Sequence, residues 1–138
     1  MRRLFLVAIL LAGPLSAADF KPYPDAAISA EQWQQYFDTV WLEFADTMQE
    51  LPDANLVVFQ DESTSTWYAF TTADNPAHPA WVTRRIVQQD GALAMEQVGY
   101  FAGDEEPFAD LFDAYSDISD EMREQFEAQQ AADVTVDE

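Results

Sequence analysis

The sequence predicts an α+β fold in which a four-stranded antiparallel meander has one helix before it and one after it. Apolar residues recur at three- and four-residue steps near both ends of the chain, the spacing that lines one face of a helix. Between these stretches, four short runs rich in β-branched and aromatic residues are separated by turn-forming residues. The predicted order is therefore α-β-β-β-β-α, folded as a single domain over residues 29–130.

The first helix is predicted to follow an extended leader at residues 19–28. Ser29 and Gln32 have the spacing of a capping box, which indicates a helix N-terminus, and Pro52 marks the latest point at which the helix can end. Its apolar stripe is strongly aromatic, which is typical of a helix that packs on a core. The stripe contains Trp33, Tyr36, Phe37, Val40, Trp41, Phe44, Met48 and Leu51.

The four strands form two hairpins, predicted at residues 55–61, 66–72, 81–89 and 92–101. Asp90 and Gly91 join the last two strands, and this dipeptide favours a type I′ turn because both of its positions need positive φ. A two-residue turn determines the register of the strands that it joins.

That register places Arg85 opposite Glu96 and Trp81 opposite Tyr100. An opposite-charge pair and an aromatic pair each stabilise an antiparallel ladder. A shift of one residue would lose both pairs, so the pattern supports the register.

The first hairpin has apolar residues on both of its predicted faces. One face is predicted to carry Leu56, Val58, Tyr68 and Phe70, and the other Val57, Phe59, Trp67 and Ala69. A strand with one wet side would alternate with polar residues. A helix, a second subunit, a ligand or a partner protein must therefore cover the second face.

The last helix is predicted to begin at residues 104–107, where carboxylates and Pro107 suit a first helical turn. Its apolar face carries Phe108, Leu111, Phe112, Tyr115, Ile118, Met122 and Phe126, and its carboxylates fall mostly on the other side. Residues 131–138 are predicted to form a disordered acidic tail.

The first 18 residues have the organisation of a cleavable signal peptide. Arg2 and Arg3 precede an apolar run at residues 4–12, and the small residues Ser16 and Ala18 suit cleavage after Ala18. The apolar stretch is shorter than the roughly 20 residues that a membrane-spanning helix needs. We therefore expect a protein that is exported to the periplasm or beyond and has no membrane segment after cleavage.

The composition is strongly acidic and lacks cysteine. The whole chain carries 26 acidic and six basic residues, a formal net charge of −20. After cleavage, four basic residues would face all 26 acidic ones, a charge of −22. Such a surface repels nucleic acid and anionic lipid, and no thiol is present for catalysis or metal binding.

No motif in the sequence predicts a catalytic residue, a metal ligand or a cofactor. The single histidine, His78, lies in the proline-flanked loop at residues 75–79 and has no second histidine or cysteine with which to share a metal. Arg84 lies on a strand face that also carries Val82 and Ile86. A structural ion pair is its first interpretation, and an anchor for an anionic ligand is its second.

These features predict a non-enzymatic binding or accessory protein of the bacterial periplasm that contacts a protein partner or forms a homodimer. One alternative is a small-molecule carrier with an aromatic pocket around Trp67, Trp81 and Tyr100, and another is a hydrolase that uses His78. The candidate binding residues are Phe59, Trp67, Trp81, Tyr100, Arg84 and His78.

Overall fold

The computed structural model describes residues 18–136 of the 138-residue chain, so the predicted signal peptide lies outside the described residues except for Ala18. An α+β fold with an antiparallel sheet and two helices is confirmed. The elements are α1 (Ala30–Phe44), β1 (Gln49–Leu51), β2 (Leu56–Asp61), β3 (Thr66–Thr71), β4 (Ala80–Gln89), β5 (Ala92–Phe101) and α2 (Glu105–Val136).

The sheet has five strands, so the prediction of four is wrong. The first helix was expected to reach Leu51, but α1 ends at Phe44 and a 3₁₀ turn follows it. The hydroxyl of Thr47 donates to the Phe44 carbonyl and accepts a hydrogen bond from the Gln60 backbone N–H. This bridge draws the chain alongside β2, where Gln49–Leu51 pairs as an edge strand.

The strands follow one another in the sheet in chain order, and every neighbouring pair is antiparallel. Because successive side chains of a strand point to opposite faces, the two helices pack on different sides. We call these the α1 face and the α2 face. Trp81 points to the α1 face and joins its core, whereas Val82 points to the α2 face and packs with Phe108.

The α1 face carries a dense aromatic core. Phe70 is fully buried at its centre and contacts the rings of Trp33, Tyr36, Phe37, Phe59 and Trp81. The capping box that begins α1 is confirmed, since Ser29 and Gln32 exchange both hydrogen bonds. This cap fixes the start of the helix whose stripe supplies Trp33, Tyr36 and Val40 to the core.

The leader at residues 19–28 packs along this core. Tyr36 donates its hydroxyl hydrogen bond to the Asp19 carbonyl at 2.6 Å, and Tyr100 donates to the Tyr23 carbonyl at 2.9 Å. Ala27 forms a parallel bridge with Phe101, next to the outer edge of β5. The leader therefore covers part of a sheet edge that would otherwise expose unpaired backbone groups.

The predicted faces of the first hairpin are wrong. Asp61 pairs with Thr66, so odd-numbered residues of β2 share a face with even-numbered residues of β3. The α1 face therefore receives Val57, Phe59, Tyr68 and Phe70, and the α2 face receives Leu56, Val58, Trp67 and Ala69. The cause lies in the connection at residues 62–65, a 3₁₀ turn closed by Ser65 in the left-handed conformation, which the sequence did not reveal.

The predicted register of the second hairpin is confirmed. Trp81 lies opposite Tyr100 and Arg85 opposite Glu96, with 2.8 Å between Arg85 Nε and Glu96 Oε1. Asp90 and Gly91 have φ values of 53° and 79°, the positive values that a type I′ turn requires.

The second helix continues to Val136, whereas the sequence predicts a disordered tail from residue 131. No glycine or proline follows Pro107 to interrupt it. Within residues 18–136, no helix combines the length and hydropathy that crossing a bilayer requires.

Candidate functional site

The predicted aromatic pocket is not formed by the residues assigned to it. Phe59, Trp81 and Tyr100 are 0%, 0% and 2% exposed and belong to the core of the α1 face. Trp67 is half-buried and points to the α2 face. The sheet therefore separates Trp67 from Trp81 and Tyr100, and the three side chains do not line one cavity.

His78 is held by a short structural network. Its Nδ1 lies 2.7 Å from the hydroxyl of Thr71, and its ring packs edge-on against Trp33. The Thr71 hydroxyl also accepts from the Ala80 backbone N–H and lies 3.1 Å from the Ala80 carbonyl, to which the Trp33 indole N–H donates. These contacts tie the loop before β4 to the sheet.

The same region offers no metal centre. Across the part of the chain that the structure describes, no group of three or more histidine, cysteine, aspartate or glutamate residues is arranged to hold a metal ion. The His78 ring instead makes a polar contact with Thr71, whose hydroxyl also accepts a hydrogen bond from the Ala80 backbone.

Arg84 does not form the ion pair that is its first interpretation from the sequence. Among the described residues its guanidinium contacts no carboxylate, and its Nη1 donates to the Ser119 hydroxyl at 3.2 Å. The guanidinium also lies over the Tyr115 ring, 4.6 Å from its centroid. The reason is that α2 turns its carboxylates outward and presents Tyr115, Ser116 and Ser119 to the sheet.

Burial perturbs both members of this contact. Desolvation lowers the pKa of the Arg84 guanidinium, an effect that the nearby Tyr115 opposes. Desolvation likewise raises the pKa of the Tyr115 hydroxyl, and the positive charge of Arg84 opposes that rise. Arg84 is therefore a half-buried cation whose contacts with the protein are to uncharged groups.

Gln97 extends the polar contacts around Arg84. It lies opposite Arg84 in the β4–β5 ladder, and its Nε2 donates to the Phe112 carbonyl and the Ser116 hydroxyl. Its Oε1 is buried and has no hydrogen-bond partner in the described structure. We call Arg84, Gln97, Ser116 and Ser119 the polar band.

An apolar groove of about 310 Å³ lies beyond the polar band, between the β4–β5 hairpin and the second half of α2. Ser119 of the polar band lines it, together with Ile86, Leu93, Met95, Met122 and Arg123. Along the α2 face, the side chains thus change from an apolar cluster at Val82 and Phe108, through the polar band, to this groove.

The groove lies where the second half of α2 runs over the β4–β5 hairpin. With 32 residues, α2 is about 48 Å long, whereas the 10 residues of β5 span about 34 Å. The first half of α2 packs Phe108 against the sheet, but Ile118 and Met122 remain 44% and 41% exposed. Two residues of the apolar stripe of α2 therefore remain partly open to solvent.

A second exposed apolar surface lies on the other side of the molecule. Trp41, Leu42 and Met48 at and beyond the end of α1 are 42%, 84% and 37% exposed. The acidic residues Glu43 and Asp46 lie between them in the sequence. We call these three apolar residues the α1 patch.

Sequence reasoning named Arg84 but missed the groove. Met122 and Ile118 were assigned to the apolar face of the last helix, and Ile86 to the same strand face as Arg84. Neither the helix pattern nor the strand pattern alone reveals a groove that forms between the two elements. No known protein family, curated protein or solved structure was found to match this chain.

Proposed function

We propose that this chain is an exported, non-enzymatic binding protein whose binding site is the groove between the β4–β5 hairpin and α2. The observation that carries the proposal is a cavity of about 310 Å³ whose mostly apolar lining includes a few polar groups, among them Ser119 and Arg123. Ligand sites in proteins typically have volumes of roughly 300–1,000 Å³ and this mixture of lining groups. The occupant is a small molecule with an extended apolar body.

The setting of the groove supports this proposal. Met122, which lines the groove, is 41% exposed, and soluble domains usually bury or use such apolar surface. Methionine side chains adapt to ligands of different shape, and both Met95 and Met122 line the groove. The signal-like N-terminus supports export, and the engagement of the Thr71 hydroxyl by the Ala80 backbone argues against a hydrolase that uses His78.

The proposal is tested with N-phenyl-1-naphthylamine, a neutral probe whose fluorescence rises in apolar surroundings. The wild-type chain should bind it saturably, and Met122→Glu should weaken binding roughly tenfold or more, because burial of a methionine side chain stabilises by about 1.5–3 kcal/mol. Met48→Glu is the matched control, since Met48 and Met122 are exposed to similar extents, at 37% and 41%. Equal affinity of wild type and Met122→Glu would refute the groove as the site.

A second candidate function is the docking of a basic protein partner at the α1 patch. Leu42 is 84% exposed, the largest value among the exposed large apolar side chains of the described residues. Carboxylates beside the patch and a net charge of −20 favour a positively charged partner and oppose a homodimer.

This candidate is tested by affinity capture from periplasmic extract with three baits. Wild type and Met122→Glu should retain the same partner, and Leu42→Glu should lose it. Recovery of the same proteins by all three baits would contradict docking at the α1 patch. If only the Met122→Glu bait lost the partner, the groove would instead be the docking site.

A further inference from the structure

We infer that the groove accepts an amphiphile with a single carboxylate head, and that Arg84 in the polar band binds this head. The inference rests on the proposed function, because it specifies the ligand class of the same site. It starts from the charge pairs of the three arginines that the structure describes. Arg85 bonds Glu96 and Arg123 contacts Asp120, yet in residues 18–136 Arg84 has no carboxylate partner, although the chain carries 26 acidic residues.

The contacts of Arg84 leave most of its hydrogen-bonding capacity unused. A guanidinium presents five N–H donors, and the structure shows one hydrogen bond, to the Ser119 hydroxyl. The Tyr115 ring lies over one face of the guanidinium, so it occupies none of the N–H donors in the guanidinium plane. Arg84 is half-buried, and none of its unpaired nitrogen atoms is fully enclosed, so an incoming anion can reach them. The planar guanidinium matches a carboxylate in a two-bond arrangement.

Arg84 does not line the groove itself but is bonded to a residue that does. Ser119, which accepts its hydrogen bond, is a lining residue. Ile86 follows Arg84 on the same face of β4, and Met95 lies opposite Ile86 on β5. An amphiphile with its carboxylate at the polar band would therefore place its alkyl chain along Ile86, Met95 and Met122, toward the hairpin turn.

The charges around the groove favour a head with one negative charge. Arg123 and Glu127, both in the second half of α2, line the groove, and their opposite charges offset each other there. The overall charge of −20 repels an approaching dianion more strongly than a monoanion. A single carboxylate thus suits Arg84 better than a phosphate does, and the small volume suits a free amphiphile better than a protein segment.

The experiment compares decanoate with decanol by isothermal titration calorimetry on the chain that begins at Asp19. Decanoate should bind wild type at least roughly tenfold more tightly than decanol, because a hydrogen-bonded charge pair is involved. Arg84→Met should remove this preference by weakening decanoate binding roughly tenfold or more. Arg85→Met is the matched control, because Arg85 is adjacent in sequence but points to the α1 face, and it should retain the preference.

A second variant guards against misfolding of Arg84→Met. Arg84→Gln keeps a polar side chain without the charge and should also lose the preference, with unfolding midpoints measured for all variants.

Equal binding of decanoate and decanol would overturn the role of Arg84 while the groove still binds apolar chains. Binding of neither ligand, together with N-phenyl-1-naphthylamine binding that Met122→Glu does not alter, would overturn both proposals. Tighter binding of an apolar peptide with a free C-terminal carboxylate than of decanoate would assign the site to a protein partner.

Discussion

The two faces of the sheet are built in different ways. On the α1 face, nearly every large side chain meets another ring, and Phe59, Phe70 and Trp81 have no exposed surface. On the α2 face, the fully packed region is a small cluster around Val82 and Phe108. Beyond it come the polar band and the groove. One face is filled by the chain itself, and the other leaves space.

This difference suggests a division of labour between stability and binding. A thiol-free chain has no disulfides, so packing must stabilise it. The aromatic core supplies that packing on one side, and the α2 face can therefore leave the groove unfilled. We expect substitutions on the α1 face to affect the free energy of unfolding most, and substitutions near the groove to affect binding most.

The largest expected effect is that of Phe70→Ala. Removal of a fully buried phenylalanine surrounded by five rings should lower the free energy of unfolding by about 3–5 kcal/mol. Phe112→Ala on the α2 face should cost clearly less, because Phe112 is only partly buried and α2 can move into the space. Denaturant titration followed by circular dichroism measures both, and equal losses would contradict the proposed asymmetry.

A smaller effect is expected where α2 approaches the sheet most closely. A Cβ at Gly99 would lie 2.6 Å from Phe108 Cζ and 2.8 Å from Phe112 Cδ2. Gly99→Ala should therefore destabilise by about 1–3 kcal/mol through overpacking. If the rings cause the loss, the double variant with Phe112→Ala should lose less than the sum of the single changes. Strict additivity in this cycle would show that α2 is not seated on Gly99.

Local patterns predicted the parts of the fold that depend on neighbouring residues. The capping box at Ser29 and Gln32 and the turn at Asp90 and Gly91 are confirmed because each is set by a few adjacent backbone groups. The two-residue turn also transmitted its register along ten residue pairs to Phe101. Such features need no knowledge of the rest of the chain.

The features that failed depend on distant parts of the chain. The faces of the first hairpin follow from the conformation of residues 62–65, where Ser65 adopts a positive φ without a glycine to signal it. The edge strand β1 forms because Thr47 meets Gln60, and the sequence gives no sign of that contact. The partners of Arg84 depend on which side of α2 faces β4, and neither strand nor helix periodicity alone determines that side.

The smallest expected effect concerns the hairpin turn that forms one wall of the groove. Gly91 has a φ of 79° and a Cβ there would meet no atom within 4 Å, so any loss in Gly91→Val comes from backbone strain. A left-handed conformation costs a non-glycine residue about 1–2 kcal/mol, and β-branching adds to that strain. Gln89→Val, one residue outside the turn and exposed, is the control and should change stability little.

The same variant separates the two faces more sharply than stability alone. Gly91 lines the groove, so Gly91→Val should weaken N-phenyl-1-naphthylamine binding while near-ultraviolet circular dichroism from the aromatic core stays as in wild type. The reason is that strain at the turn loosens the hairpin wall without reaching Phe70 or Trp81 on the α1 face. Loss of the aromatic signal together with probe binding would mean that the two faces unfold as one unit, and the separation of packing from binding would then be wrong.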